Sequence, residues 1–415
     1  MTLERAQARV LEACAPLPSE ELALAPSLEP GLALLPSPGA QGRVLAQAVR
    51  AARDLPARDL SMMDGYALAA PGAGALRVSM EIAAGDSPAH RPLAAGEAAR
   101  IFTGAPLPPG ADCVVKQEEC EREGNQLRLP SSLRPRPGEH VRPRGQEMRA
   151  GAQVLASGTL LGAAELSLAA AAGAVRVRVH ARPRVAILAT GNELIPLGEE
   201  PRAGQLVETN SIALAQLCRD AGALPLLLGI SRDEPQEIAA RLASADAELL
   251  ITTGGASVGD HDHAQEALAL LGGELLFHGV AIRPGKPTLF GTLPPLSTSA
   301  PRPLVLGLPG NPAASMLCFE LFARPALRRL QGDAQWDRPR ARATLAGGVL
   351  ERAPGLTFFP RGRALYRDGR LEFHPAAQQS SMQIGSWAAA NALAVLSPGE
   401  GRVEPGEPLE LMLLS

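Results

Sequence analysis

The sequence predicts a multidomain protein in which a doubly wound α/β unit is joined to β-rich modules. Three observations carry that expectation. At 415 residues the chain exceeds what one hydrophobic core organises. Between about residues 185 and 330, apolar runs alternate with helical stretches, the pattern of a parallel sheet with helices on both faces. On either side of that span the chain breaks into short strand-like runs punctuated by glycine and proline.

The elements follow in order. Residues 1 to about 50 are helical at first and then rich in proline and glycine. From Arg53 to Pro143 short strands dominate, such as Ala111 to Lys116 with the polar break Arg122 to Asn125, and a small β-rich module is expected. The alanine-rich stretch Leu160 to Val175 is interrupted by Glu165 and Gly173, so it reads as a small-residue helix and its exit. A membrane helix would need about 20 apolar residues. Ala174 to His180 alternates with period two, a half-buried strand, and Arg182 to Arg184 is a linker. Within the α/β span, strands are expected at Val185 to Ala189, Leu224 to Gly229, Ala247 to Thr252 and Pro303 to Leu308. Helices are expected near Asn210 to Ala221, Glu234 to Ala245 and onward from Pro312 to about Leu330. After Gly332 the pattern is that of a small terminal β-domain. No internal repeat or long charge run is present.

Composition narrows the function. The hydrophobic share of 46% and charged share of 20% are those of a globular protein. A net charge of -3 argues against a nucleic-acid partner, which asks for a basic surface. The N-terminus carries Glu4, Arg5 and Arg9 and lacks the apolar core of a signal peptide. The five cysteines form no C-x-x-C pair, which speaks against a zinc knuckle and suits a reducing cytoplasm. Only two lysines occur, Lys116 and Lys286, against many arginines. Lysine is a compact point charge that fits a tight anion site, and Lys286 stands between turn residues in Arg-Pro-Gly-Lys-Pro.

Three loops follow strands of the α/β unit: Thr190-Gly191-Asn192-Glu193, Thr252 to Asp262 with Gly254, Gly255, Ser257 and Gly259, and Pro309-Gly310-Asn311-Pro312. Glycine lets backbone amides approach an anion, and ligands of such sheets bind at the carboxyl ends of the strands. Together the loops could cradle a phosphate-bearing ligand. Glu193, Asp233 and Asp262 fall near the same edge, and hard oxygen ligands beside phosphate suit Mg²⁺. The plainer reading makes each a helix cap. It is the favoured one for Asp233, which precedes a helix, whereas Asp262 follows a glycine-rich loop and reads as a ligand. His261 and His263 flank Asp262 without a third ligand nearby, so zinc is not expected. Ser61 to Ala67 and Phe102 to Pro106 are, on physics alone, ordinary turns.

Six segments, taken in order, resemble the MoeA family, which includes the C-terminal half of gephyrin-type proteins. They are Ser61-Met-Met-Asp-Gly-Tyr-Ala, Ile101-Phe-Thr-Gly-Ala-Pro, Thr190-Gly-Asn-Glu-Leu, Gly254-Gly-Ala-Ser-Val-Gly-Asp-His-Asp, Arg283-Pro-Gly-Lys-Pro and Leu308-Pro-Gly-Asn-Pro. The resemblance implies a MogA-like α/β domain (residues 181-331), an inserted β-rich domain (51-142), an elongated linker domain (1-50 and 143-180) and a barrel-like C-terminal β-domain (332-415). It implies a homodimer whose site lies between the α/β domain and parts of the partner subunit. It also implies a reaction in which molybdate is inserted into adenylylated molybdopterin and AMP is released with Mg²⁺ assistance. Asp64, Thr103, Glu193, Asp233, Asp262, Lys286 and Ser380 match the family's functional positions, with Arg283, Gly310 and Asn311 as further ligand contacts.

The chain departs from the family pattern at Arg283, where lysine is usual, at Glu147, where aspartate is usual, at His263, usually aromatic, and in the segment Gln379 to Ser386. None of these removes the carboxylate and lysine set. Two other functions are weighed: a MogA-like molybdopterin adenylyltransferase, which the chain's length disfavours, and a non-catalytic gephyrin-like scaffold. The sequence does not separate molybdate from tungstate.

Overall fold

The computed structural model describes residues 1-24, 39-72, 74-87, 91-255, 263-295 and 301-414. Its central module is built on one six-stranded sheet. The strands are β1 (Arg184–Thr190), β2 (Leu224–Ser231), β3 (Leu249–Thr253), β4 (Glu274–His278), β5 (Leu289–Thr292) and β6 (Leu304–Leu308), in the spatial order β2-β1-β3-β6-β5-β4. β2, β1, β3 and β6 are parallel. β5 runs antiparallel to both of its neighbours. The sheet is therefore mixed, not wholly parallel as the strand-helix alternation suggests. An antiparallel pair needs no crossover helix, so that alternation carries no signal for β4 and β5.

Side-chain alternation along the strands makes the two buried faces. Val185, Ile187, Leu249, Ile251 and Leu306 point to one core, shared with α1 (Asn210–Asp220) and with α4 (Pro312–Cys318), which continues through a π-helical turn (Phe319–Ala323) into Arg324–Leu330. Ala186, Leu188, Leu250 and Val305 point to the other, against α2 (Pro235–Ala243) and α3 (His263–Leu270). Each buried leucine or isoleucine contributes roughly 1.5–3 kcal/mol. β2, an edge strand, leaves Leu224, Leu226 and Leu227 about half exposed.

The N-terminal helix (Leu3–Glu12) buries Leu3, Ala6 and Val10 in the same core as Val185 and Ile187. Residues 1-50, expected as part of the linker domain, thus begin with a helix that packs on the α/β module. The apolar stripe of that helix finds its partner surface on the α/β module. The linker module begins beyond it, where Ser19–Ala23 pairs antiparallel with Arg176–His180 over a core that includes Leu45, Leu161 and Val179.

The β-rich module is a second six-stranded sheet, in the order Cys113–Lys116, Gly65–Leu68, Glu97–Ile101, Ala75–Ile82, Gln126–Arg128, Glu121–Glu123. The C-terminal module is a closed five-stranded barrel around Phe373 and Leu411. It is tied to the α/β module where Ile282–Arg283 pairs parallel with Thr357–Phe358. All five cysteines are free. Burial pushes the thiols of Cys14, Cys113, Cys218 and Cys318 up to about 12 and that of Cys120 to about 11, so they are inert at neutral pH. Among the described residues no helix is long and apolar enough to cross a membrane.

Candidate active site

β1, β3 and β6 are adjacent and parallel, so the loops after them emerge side by side at the carboxyl edge of the sheet. They enclose a cleft of about 550 Å³, a volume suited to a small ligand. Its lining includes Thr190, Gly191, Glu193, Asp233, Gly254, Gly255, Gly310 and Asn311. The three loops touch. A Cβ on Gly254, whose φ is +94°, would stand 2.2 Å from the Thr190 carbonyl oxygen, so only glycine closes that corner. Asn210, at the start of α1, donates to the Gly310 carbonyl at 2.8 Å and to Thr253 Oγ1 at 3.3 Å, binding the ends of β3 and β6 together.

The glycine amides do less than the sequence suggests. Gly191 N–H donates to the Ser231 carbonyl at 3.2 Å and Gly254 N–H to the Leu308 carbonyl at 3.1 Å. Both are spent within the protein, so these glycines shape the cleft and do not offer amides to a ligand. Asp233 is not a helix cap. The N-cap of α2 is Glu234, without a side-chain cap bond, and Asp233 Oδ2 accepts instead from Asn192 N–H at 3.2 Å. The plainer reading of Asp233 fails because the β1 loop supplies a donor that local sequence does not show. The Glu193 carboxylate is exposed at the cleft and has no hydrogen-bond or ion-pair partner among the described residues.

A second recess, of about 460 Å³, adjoins the cleft and shares Pro287, Pro309 and Asn311 with it. Arg283 and Lys286 line it together with Gln379, Ser380 and Ser381, and among the described residues no carboxylate does. Neither cation has an ion-pair partner among the described residues. A lining of this kind has the charge to suit an anion. Gln379 to Ser381 begin a segment tied down by Arg361, which is only 1% exposed. Arg361 donates to Ser386 Oγ and to the Ser380 carbonyl, both at 2.9 Å, and burial holds its pKa below the usual arginine range. Ser381 Oγ accepts from Asn311 Nδ2 at 3.1 Å, and its carbonyl takes the Ala313 N–H at 3.0 Å.

Asp64 and Thr103 meet elsewhere. Gly65–Leu68 and Glu97–Ile101 pair antiparallel with Gly65 opposite Ile101, so the residue before one strand faces the residues after the other. Gly65 is required there: a Cβ would lie 1.9 Å from the Val115 carbonyl oxygen. Asp64 Oδ1 accepts from both Thr103 N–H and Thr103 Oγ1 at 2.7 Å, which holds its carboxyl below the ordinary range and keeps it ionised. Arg100 lies over both Tyr66 and Phe102 and donates to the Gly65 carbonyl at 3.0 Å, joining the two turns. Both Asp64 and Thr103 are exposed, and neither lines the cleft or the recess.

Residues 1–173 match the MoeA N-terminal region (domain I and II), 186–329 a probable molybdopterin binding domain and 345–414 the MoeA C-terminal region (domain IV). The chain belongs to the MoeA family. A molybdopterin molybdenumtransferase of Nostoc sp. is 39% identical over 386 residues, covering 90% of this chain and 87% of that protein. One from Haemophilus influenzae is 31% identical over 380 residues, covering 90% and 91%. The solved structure of a molybdopterin biosynthesis MoeA protein from Pyrococcus horikoshii superimposes with a TM-score of 0.81 at 27% identity, covering 100% of this chain and 99% of that one.

Against the MoeA-type pattern, the structure brings Thr190, Gly191, Glu193, Asp233, Gly254, Gly255, Gly310 and Asn311 to one cleft, and Arg283, Lys286 and Ser380 to the recess beside it. Asp64 and Thr103 form a separate pair. Ser257, Gly259 and Asp262 lie outside the described residues. Sequence reasoning missed Asn210, Arg361 and Ser381. Of the two adjacent serines, Ser381 is the one whose hydroxyl is tied to Asn311, while among the described residues Ser380 Oγ accepts only from Met382 N–H, at 3.4 Å. An arginine inside Phe358-Phe-Pro-Arg-Gly was the one signal for a cation held in a core.

Proposed function

We propose that this protein is a molybdopterin molybdenumtransferase: adenylylated molybdopterin occupies the cleft, molybdate the adjoining recess, and molybdenum enters the dithiolene as AMP leaves. The observation that carries the reading is the pairing of two unlike chambers across Pro287, Pro309 and Asn311, one bearing carboxylates and the other cations that are unpaired among the described residues. In the recess, Arg283 and Lys286 neutralise a dianion and the Ser380 and Ser381 hydroxyls hydrogen-bond its oxygens. In the cleft, the Gly310–Asn311 turn seats phosphate. Glu193 and Asp233 orient the oxygen nucleophile that splits the phosphoanhydride.

The donor set of the cleft suits Mg²⁺, since Glu193 and Asp233 are hard oxygen ligands and Glu193 is otherwise unpaired among the described residues. Glu193 would hold the ion with Asp262, and the bound ion supplies charge neutralisation at the phosphates. Asp64 and Thr103 complete the site from the second subunit of a homodimer, which accounts for an ionised, exposed carboxylate that lies outside its own chain's cleft. The same reading divides the chain into linker, β-rich (51-142), α/β (181-331) and barrel (332-415) domains, with the first helix seated on the α/β domain, and places the enzyme in the cytoplasm.

The test is to incubate the protein with adenylylated molybdopterin, Mg²⁺ and molybdate and to follow AMP. Release that depends on molybdate is expected. A folded protein that releases none, or releases it equally without molybdate, contradicts the reading.

A further inference from the structure

Arg283 lines the recess on a strand whose sheet partner among the described residues, Thr357–Phe358, belongs to the C-terminal module. Thr357 N–H donates to the Ala281 carbonyl at 2.9 Å and Phe359 N–H to the Arg283 carbonyl at 3.0 Å, so the register between the two segments is fixed. That register sets Phe358 beside Arg283. The guanidinium carbon lies over the Phe358 ring, 4.9 Å from its centroid. Phe358 itself cannot drift: it is 7% exposed, sits in the barrel core, and exchanges two backbone hydrogen bonds with Leu396, each of 2.9 Å. Arg283, in contrast, is exposed and makes no side-chain hydrogen bond or ion pair with any described residue. The ring is what holds its head.

We propose that Phe358 is a positioning residue for oxyanion binding: its ring fixes the Arg283 guanidinium at the recess, so that the anion meets a cation already in place. The inference rests on the reading of the recess as the molybdate site. The physical case has three parts. A free arginine is rotamer-rich, and ordering it on ligand binding weakens affinity, whereas a cation resting on a fixed ring is ordered beforehand. A ring is no strong hydrogen-bond acceptor, so the guanidinium N–H donors turned away from it stay available to oxyanion oxygens. Lys286 lines the same recess and repels Arg283, and the ring opposes that repulsion. A barrel residue thereby tunes a site whose cations belong to the α/β module.

The test titrates molybdate into the full-length protein by calorimetry. Replacing Phe358 by pentafluorophenylalanine keeps the ring's shape and packing but removes its attraction for cations. We expect molybdate affinity to fall about two- to fivefold, the strength of an exposed cation–π contact. Phe358→Tyr, which keeps an electron-rich ring, should bind as the natural protein does. In an Arg283→Gln background the same fluorination should change nothing. Fluorination without effect, or with an equal effect in the Arg283→Gln background, overturns the proposal. A natural protein that takes up no molybdate overturns the reading of the recess and this inference with it.

Discussion

The cleft of the α/β module and the Asp64–Thr103 pair of the β-rich module are both made at strand ends, yet only one looks like a site. At the cleft, three parallel neighbours release three loops on one edge, and concavity follows from the topology. In the β-rich sheet, two antiparallel neighbours bring one carboxylate to one threonine on an open surface. The first arrangement is a container and declares a ligand. In the proposed dimer the second is half of a container, completed when the partner's cleft covers it. A site shared between subunits is therefore legible from one side only.

The comparison can be broken most severely at Lys286. Lys286→Ala should lower molybdate-dependent AMP release by about 10²-fold or more, the usual effect of removing one group that stabilises developing negative charge. Activity within a few-fold of the natural protein would show that the recess is not where the anion reacts. Asp64→Asn should follow, with a loss of about 10²-fold and an unchanged thermal unfolding curve, because the residue is exposed. Comparable loss of stability and activity would make Asp64 structural. Gly254→Ala sharpens the contrast from the other side. It forces a Cβ onto the Thr190 carbonyl and should cost about 2 kcal/mol or more in chemical denaturation while leaving the Asp64–Thr103 pair intact.

The smallest effect concerns acid stability of the β-rich module. Glu97 is buried, accepts from Arg91 at 2.8 Å, from Ala94 N–H at 3.1 Å and from Arg77, and its pKa is lowered to about 2. Its folded value lies below the unfolded one, so its contribution is fully present above about 4.5 and is lost as pH falls toward 2. Glu97→Gln should be less stable near neutral pH and should flatten the pH dependence of unfolding between those values. A variant whose acid transition matches the natural protein's would remove Glu97 as the cause.

How much of this was legible in the sequence follows from which interactions are local. The strands β1, β3 and β6 announce themselves as apolar runs ending in glycine, and the cleft residues follow from them. The apolar run of β2 reads the same way, although three of its leucines are about half exposed, because composition does not distinguish an edge from a centre. Asp233 reads as a cap until the Asn192 amide, 41 residues away, is seen to hold it. Arg361 and Ser381 are invisible beforehand because their roles depend on the barrel packing against α4. The Asp64 and Thr103 turns carry no physical signal of function in sequence, and only their resemblance to a family marked them.

The central claim is that the cleft, the recess and the Asp64–Thr103 pair form one site across a dimer. The most direct test mixes two inactive variants, Asp64→Ala and Lys286→Ala, under conditions that exchange subunits. If Asp64 serves the partner's cleft, each mixed dimer contains one intact site and one doubly defective site; mixed dimers are about half of an equal, fully exchanged mixture, so AMP release should return to about a quarter of that of the natural dimer. If Asp64 served its own chain's cleft, every site in the mixture would lack one residue or the other, and activity would stay absent. That result, obtained with subunit exchange verified, would contradict the account.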